Sequence, residues 1–311
     1  MAEWRDLVDP DEAAVRTAVP DDVVDDVVRQ LAHRPTDRDK LPRPKLEAHG
    51  SYVWGAFLAA VVEREQDRVY YQEVDVVLTD DVVVTIRKTP PGGEKPFDPA
   101  VLREACEHGA PLAGLLLYYL VDEVADRYLD LLDDLNEEID EVEDAIEGQP
   151  AEEIRRRLSD LRHDLLRIRR TLGPTRDAVR AVADDRIELD DRGLLGRAKP
   201  KLFPREVDLQ FFGAYDKILR AYEGLELSRD LVAGARDYLQ AKVANDQNEV
   251  MKRLTAIASI LLFPTFVVGV YGQNFDHMPE LHWRLGYAFS WAIIVVVTLA
   301  QIVYFRRRRW L

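Results

Sequence analysis

Hydrophobic positions fall into three patterns along the chain, and each predicts a different kind of element. Two long runs near the end, 254–270 and 285–305, contain no charged residue. Each matches the roughly 17–25 residues that a helix needs to cross a bilayer. Residues 51–62, 69–78 and 82–88 carry β-branched and aromatic residues at strand density, with Asp80-Asp81 as the turn that joins the last two into a hairpin. Between 125 and 172 apolar residues recur at spacings of three and four among dense charge. One stripe is Leu131, Leu135, Ile139, Val142 and Ile146, and a second is Ile154, Leu158, Leu161, Leu165, Ile168 and Leu172. Gly148-Gln149-Pro150 separates the stripes, so this region reads as an antiparallel helical hairpin.

The remaining segments are shorter or less regular. A helix is expected over 21–32, others over 99–108 and from 112 onward, a loop over 89–96 and a linker over 193–204. Residues 206–250 contain no proline and run directly into the first apolar segment. A single helix of about sixty residues, about 90 Å at 1.5 Å per residue, is the expected result. Such a helix passes from an aqueous compartment into the bilayer as a stalk.

The two apolar segments lie too close together for a domain to fold between them, so they form a membrane hairpin with both ends on one side. Lys252 and Arg253 precede the first, and Arg306, Arg307, Arg308 and Arg309 follow the second. The positive-inside rule places both ends in the cytoplasm and the loop 272–283 outside. Pro264 within the first segment is tolerable in a membrane helix. Trp283, Tyr287, Tyr304 and Trp310 sit near the ends of the second, as interfacial aromatics do. The first residues, Met1-Ala2-Glu3-Trp4-Arg5-Asp6, do not read as a cleavable signal. Two membrane helices cannot enclose an aqueous path, so conduction would require several copies around an axis.

The formal net charge of −15 is concentrated before residue 248. Surplus carboxylate of this kind is solvated surface and argues against nucleic acid as a partner. One cysteine, Cys106, excludes an internal disulfide and a thiolate metal cluster within one chain. No Walker, His-Glu-x-x-His or Gly-x-Ser-x-Gly pattern occurs, and the six histidines are scattered, so an enzyme is not expected.

Tyr271-Gly272-Gln273-Asn274-Phe275, followed by Met278-Pro279-Glu280-Leu281, Trp283 and Gly286-Tyr287, lies between the two membrane segments. This arrangement resembles the CorA family of divalent-cation transporters, whose hallmark is Tyr-Gly-Met-Asn-Phe with an acidic Met-Pro-Glu loop. Gln273 stands where the family has Met. The resemblance implies an α/β cytoplasmic domain, a long stalk helix and two C-terminal transmembrane helices, assembled as a pentameric funnel. On that plan residues 1–200 form the cytoplasmic domain with its charged hairpin, 201–253 the stalk and 254–311 the membrane hairpin with a basic tail.

The same resemblance implies roles for individual residues. Gly272, Gln273 and Asn274 form the selectivity loop, and Asn274 meets the hydrated metal ion without stripping its waters, as Mg²⁺ requires. Gly269, Thr265, Leu262, Leu254, Met251, Asn248 and Asp237 line the path, with Met251 and Leu254 as a hydrophobic constriction. Asp276 and Glu280 gather cations at the mouth over a short screened range, and His277 beside them makes a poor zinc site.

The expected function is passive, potential-driven influx of a divalent cation, gated by the same ion in the cytoplasm. Gln273 leaves the choice among Mg²⁺, Co²⁺, Ni²⁺ and Zn²⁺ open. No resident cofactor is implied, and the partners are further copies of the chain, the lipid bilayer and metal ions. The alternative is a non-conducting membrane-anchored scaffold or sensor on the same fold.

Overall fold

The computed structural model of the chain describes residues 2–36, 39–63, 68–109, 111–184, 186–187, 202–273 and 278–311. The described residues form two compact units, Met1–Ala235 and Arg236–Leu311.

In the first unit the described strands form one five-stranded sheet in the order β1-β5-β4-β3-β2. The strands are β1 (Glu3–Val8), β2 (Lys45–Ala48), β3 (Val53–Glu63), β4 (Arg68–Leu78) and β5 (Val82–Lys88). Strands β2 to β5 form an antiparallel meander, while β1 pairs in parallel with β5, Glu3 opposite Val82 and Val8 opposite Arg87. Helices cover both faces, which explains why β3 is buried from Val53 to Ala60 and reads as a nearly continuous apolar run.

Helices α1 (Glu12–Ala18) and α2 (Asp25–Ala32) lie on one face. Val15, Val28 and Leu31 pack there with Trp54, Val77, Val84 and Ile86. Asp11 caps α1 by accepting the Ala14 N–H at 2.8 Å. On the other face α3 (Ala100–Glu107) precedes α4 (Ala113–Ala145), which crosses β3 and then runs against α5 (Ala151–Ala183).

The strands 51–62, 69–78 and 82–88, the helix ending at Ala32 and the helical hairpin stand as the sequence predicts. Three elements were not anticipated: β1, α1 and β2. Strand β1 owes its place to side chains far away in sequence. Arg87 grips the Asp6 carboxylate in a fork, at 2.9 and 2.6 Å, and the Trp4 indole N–H donates to Thr85 Oγ1 at 3.0 Å. The second hairpin helix also outruns its expected end at Leu172 and continues through Pro174 to Ala183. Tyr128 on α4 donates to Thr171 Oγ1 at 2.8 Å, and Ala178, Val179 and Val182 bury beyond the proline. Tertiary packing outweighs the missing backbone donor there.

Helix α6 (Arg205–Tyr271) begins in this unit. Val207, Phe211, Ala214, Ile218, Ala221 and Leu225 are its buried stripe, at spacings of three and four. Lys217 fixes it to α4, its ammonium 2.8 Å from both Asp122 and Asp126, and Ser228 donates to Asn136 Oδ1 at 2.7 Å. The linker expected over 193–204 lies largely outside the described residues.

The polar interior of the sheet contains a group that sequence reading did not single out. Glu73, Asp75 and Lys88 are all buried, and the Lys88 ammonium lies 2.6 Å from Glu73 and 2.7 Å from Asp75 while donating to the Gln30 carbonyl at 3.1 Å. Desolvation raises the Asp75 carboxyl to about 7, against the pull of Lys88.

Candidate functional site

The second unit contains the rest of α6, a short 3-10 helix Pro279–His282 and helix α7 (Gly286–Arg307). Among the described residues α6 and α7 are the two helices long and apolar enough to cross a membrane. Their apolar segments match the runs 254–270 and 285–305 read from the sequence.

The covered positions on each helix form a stripe. On α6 Ala256 and Val267 are buried, and Ser259, Ile260, Phe263 and Val270 are half-buried. On α7 Ile294 and Phe305 are buried, and Ser290, Ile293, Val297, Thr298, Gln301 and Ile302 are half-buried. Spacings of three and four place each set on one side of its helix. Gln301 joins the two stripes by donating to the Ser259 carbonyl at 3.4 Å.

The residues singled out as path-lining lie on the other side of α6. Met251, Leu254, Leu262, Thr265 and Gly269 are all exposed on the chain, as are Asn248 and Asp237. From Asn248 to Gly269 this face spans about 30 Å at 1.5 Å per residue, close to the hydrocarbon thickness of a bilayer. The Thr265 hydroxyl donates to the Leu261 carbonyl at 2.8 Å, which leaves its oxygen lone pairs free to accept.

Helix α6 closes at Tyr271. The Gly272 N–H donates to the Val268 carbonyl at 2.8 Å and the Gln273 N–H to that of Val270 at 3.3 Å. Gly272 and Gln273 are exposed at this end. Asn274, Asp276 and His277 lie outside the described residues, so the metal-binding role of Asn274 and the mouth role of Asp276 stay expectations. Glu280 stands half-buried on the 3-10 helix. Its carbonyl accepts the Trp283 N–H at 3.3 Å and lies 2.2 Å from where a Cβ on Gly286 would stand, so the return into α7 requires glycine. Among the described residues no group of three or more His, Cys, Asp or Glu is placed to hold a metal ion.

Aromatic rings gather at both ends of α7. Trp283 meets Phe289 edge-on at 5.8 Å, and Phe305 stacks on Trp310 at 5.7 Å with Arg308 over Tyr304. Trp283, Tyr304 and Trp310, expected at the membrane interfaces, take part in these contacts. The polar pair Thr298 and Gln301 was not singled out, although polar residues inside a largely apolar run are a readable signal.

Comparison with known proteins agrees with this geometry. Residues 31–307 match the family described as CorA-like Mg²⁺ transporter protein. The cobalt/magnesium transport protein CorA of Thermotoga maritima is 31% identical over 274 residues, 86% of this chain and 73% of that protein. The putative metal ion transporter YfjQ of Bacillus subtilis is 28% identical over 276 residues, 87% of this chain and 79% of its own length. The complete structure of the CorA magnesium transporter from Methanocaldococcus jannaschii superposes with a TM-score of 0.78 at 20% identity, covering 99% of this chain and 91% of that one.

Proposed function

The chain belongs to the family of CorA-like Mg²⁺ transporter proteins, and from that premise we propose that it is a passive channel for a divalent cation, Mg²⁺ first, with Co²⁺, Ni²⁺ and Zn²⁺ as the alternatives that Gln273 admits. Five copies form a closed ring. The α6 face with Asn248, Met251, Leu254, Leu262, Thr265 and Gly269 lines the axis, and Asp237 forms an acidic ring below it. The observation that carries this reading is the division of α6 into a side matched to α7 and an opposite side left open, on which these path residues fall.

Gly272, Gln273 and Asn274 form the mouth, where amide groups hydrogen-bond the waters of a hydrated ion rather than replace them. That suits Mg²⁺, which dehydrates reluctantly. Asp276 and Glu280 raise the local cation concentration within about 8 Å. Both chain ends face the cytoplasm, as Lys252, Arg253 and the run Arg306 to Arg309 dictate. The membrane potential is the driving force: a divalent ion gains about 4.6 kcal/mol per 100 mV on entering a negative interior. Met251 and Leu254 close the path by excluding water, and cytoplasmic cation held between the acidic domains of neighbouring copies keeps it shut. No step in this scheme makes or breaks a covalent bond, so the protein acts as a transporter and not as an enzyme.

Uptake of Mg²⁺ into proteoliposomes containing the purified protein, with Co²⁺, Ni²⁺ and Zn²⁺ as competitors, tests this reading. Saturable Mg²⁺ uptake supports it. Uptake equal to that of protein-free vesicles would leave the chain a membrane-anchored scaffold.

A further inference from the structure

Three consecutive carbonyls on α6 depart from the ordinary helical pattern. Pro264 has no N–H, so the Ile260 carbonyl loses its partner one turn on. The next carbonyl, Leu261, is shared with the Thr265 hydroxyl at 2.8 Å. The preceding one, Ser259, takes an added donor from α7, the Gln301 amide at 3.4 Å. Gln301 therefore meets α6 at the turn whose internal hydrogen bonding is weakest. Its own Oε1 and the hydroxyl of Thr298, one turn earlier on α7, are buried without a hydrogen-bond partner among the described residues. Unpartnered polar oxygens between two apolar helices are costly in a bilayer. An apolar residue at position 301 would remove the share of that cost borne by Oε1, so the amide is not explained by helix packing.

We propose that Gln301 is a positioning residue for transport: its amide holds the proline-weakened turn of α6 and so fixes where the face carrying Leu262 and Thr265 stands. This rests on the transport reading above. Gln301 lies on the covered side of α7 and meets α6 at the Ser259 carbonyl, so its effect travels through that backbone. Removing the amide frees the 259–264 turn to bend, and the path-lining residues beyond it lose their register.

The test uses the full-length chain in proteoliposomes, with Mg²⁺ uptake measured against Mg²⁺ concentration for wild type, Gln301→Leu, Gln301→Met, Pro264→Ala and the Pro264→Ala/Gln301→Leu pair. Both Gln301 variants are expected to assemble as wild type does and to lower maximum flux about fivefold, the scale of one interhelical hydrogen bond. The half-saturating concentration stays unchanged because the mouth is untouched. In the Pro264→Ala background, where the backbone donor is restored, Gln301→Leu has little effect. Hydrogen–deuterium exchange of the 256–268 segment rises in both Gln301 variants. That readout does not depend on flux, so a wild-type protein that fails to conduct would defeat the transport reading while the tether is still measured. The proposal is overturned by unchanged flux and exchange in Gln301→Met, or by the same fold-change in both proline backgrounds. Failure of both Gln301 variants to assemble would also overturn it, because the residue would then be architectural.

Discussion

The ammonium of Lys88 lies 2.7 Å from the Asp75 carboxylate, between neighbouring strands of a sheet covered on both faces. A second carboxylate, Glu73, shares the same ammonium at 2.6 Å. Two acids and one base in a dry interior carry a surplus negative charge, and Asp75, the more deeply buried acid, bears the desolvation cost.

That cost has a sign in pH. The Asp75 carboxyl is raised to about 7 in the folded chain, so between the ordinary carboxylate range and about 7 the folded chain holds a proton that the unfolded chain has released. Raising pH through that window weakens folding. Asp75→Asn, which mimics the protonated acid, is expected to match wild type near pH 4 and to exceed its melting temperature by a margin that grows to about pH 7 and then levels off. Thermal unfolding of the full chain in detergent across this range measures it.

Lys88→Met leaves both carboxylates buried without their shared cation. Breaking a buried ion pair from one side costs about 3–5 kcal/mol, and the loss is greatest above pH 7, where wild-type Asp75 is ionised and held by Lys88. Glu73→Gln added to Lys88→Met recovers part of it. Melting temperatures of the two variants at pH 6 and pH 8 check both statements.

Gly286→Ala places a methyl where the Glu280 carbonyl oxygen already stands, 2.2 Å away. The loop must shift, at a cost of about 1–3 kcal/mol. The expected outcome is a lower melting temperature together with a raised half-saturating Mg²⁺ concentration, because the displaced 3-10 helix carries Glu280. Ala288→Gly, two residues further on at an exposed position of α7, serves as the control that leaves the loop alone.

Leu254→Asn tests the constriction. A polar side chain at an exposed position of the open α6 face keeps the path wet when the ring is closed. Basal Mg²⁺ leak at high internal Mg²⁺ is expected to rise about tenfold or more, with little change in melting temperature, since Leu254 is largely exposed on the single chain. Efflux from Mg²⁺-loaded vesicles measures it.

The parts of this protein that were legible in sequence share one property: their signal is local. An uncharged run such as 285–305 or the three-and-four spacing from Leu131 to Ile146 declares its element without reference to any other segment. Strand β1 does not, because four of its six residues are half-buried and the other two exposed, and its partners, Thr85 and Arg87, lie some eighty residues away. The continuation of α5 through Pro174 was hidden for a similar reason, since Tyr128 on another helix supports that turn. At the site, the open face of α6 followed from helical spacing once the path residues were named by resemblance. Gln301 could be seen in the sequence only as a polar residue in an apolar run, and its partner, a backbone carbonyl, leaves no mark in sequence at all.

The central claim is that divalent cations pass, driven by voltage, through a mouth built around Asn274. Mg²⁺ uptake by proteoliposomes under an imposed inside-negative potential, for wild type and Asn274→Ala, tests it most directly. The account predicts uptake that grows with the potential in wild type and falls at least about tenfold in Asn274→Ala, as expected for the loss of preorganised ligands at an ion-reading ring. Uptake independent of potential, or equal in the two proteins, would contradict it.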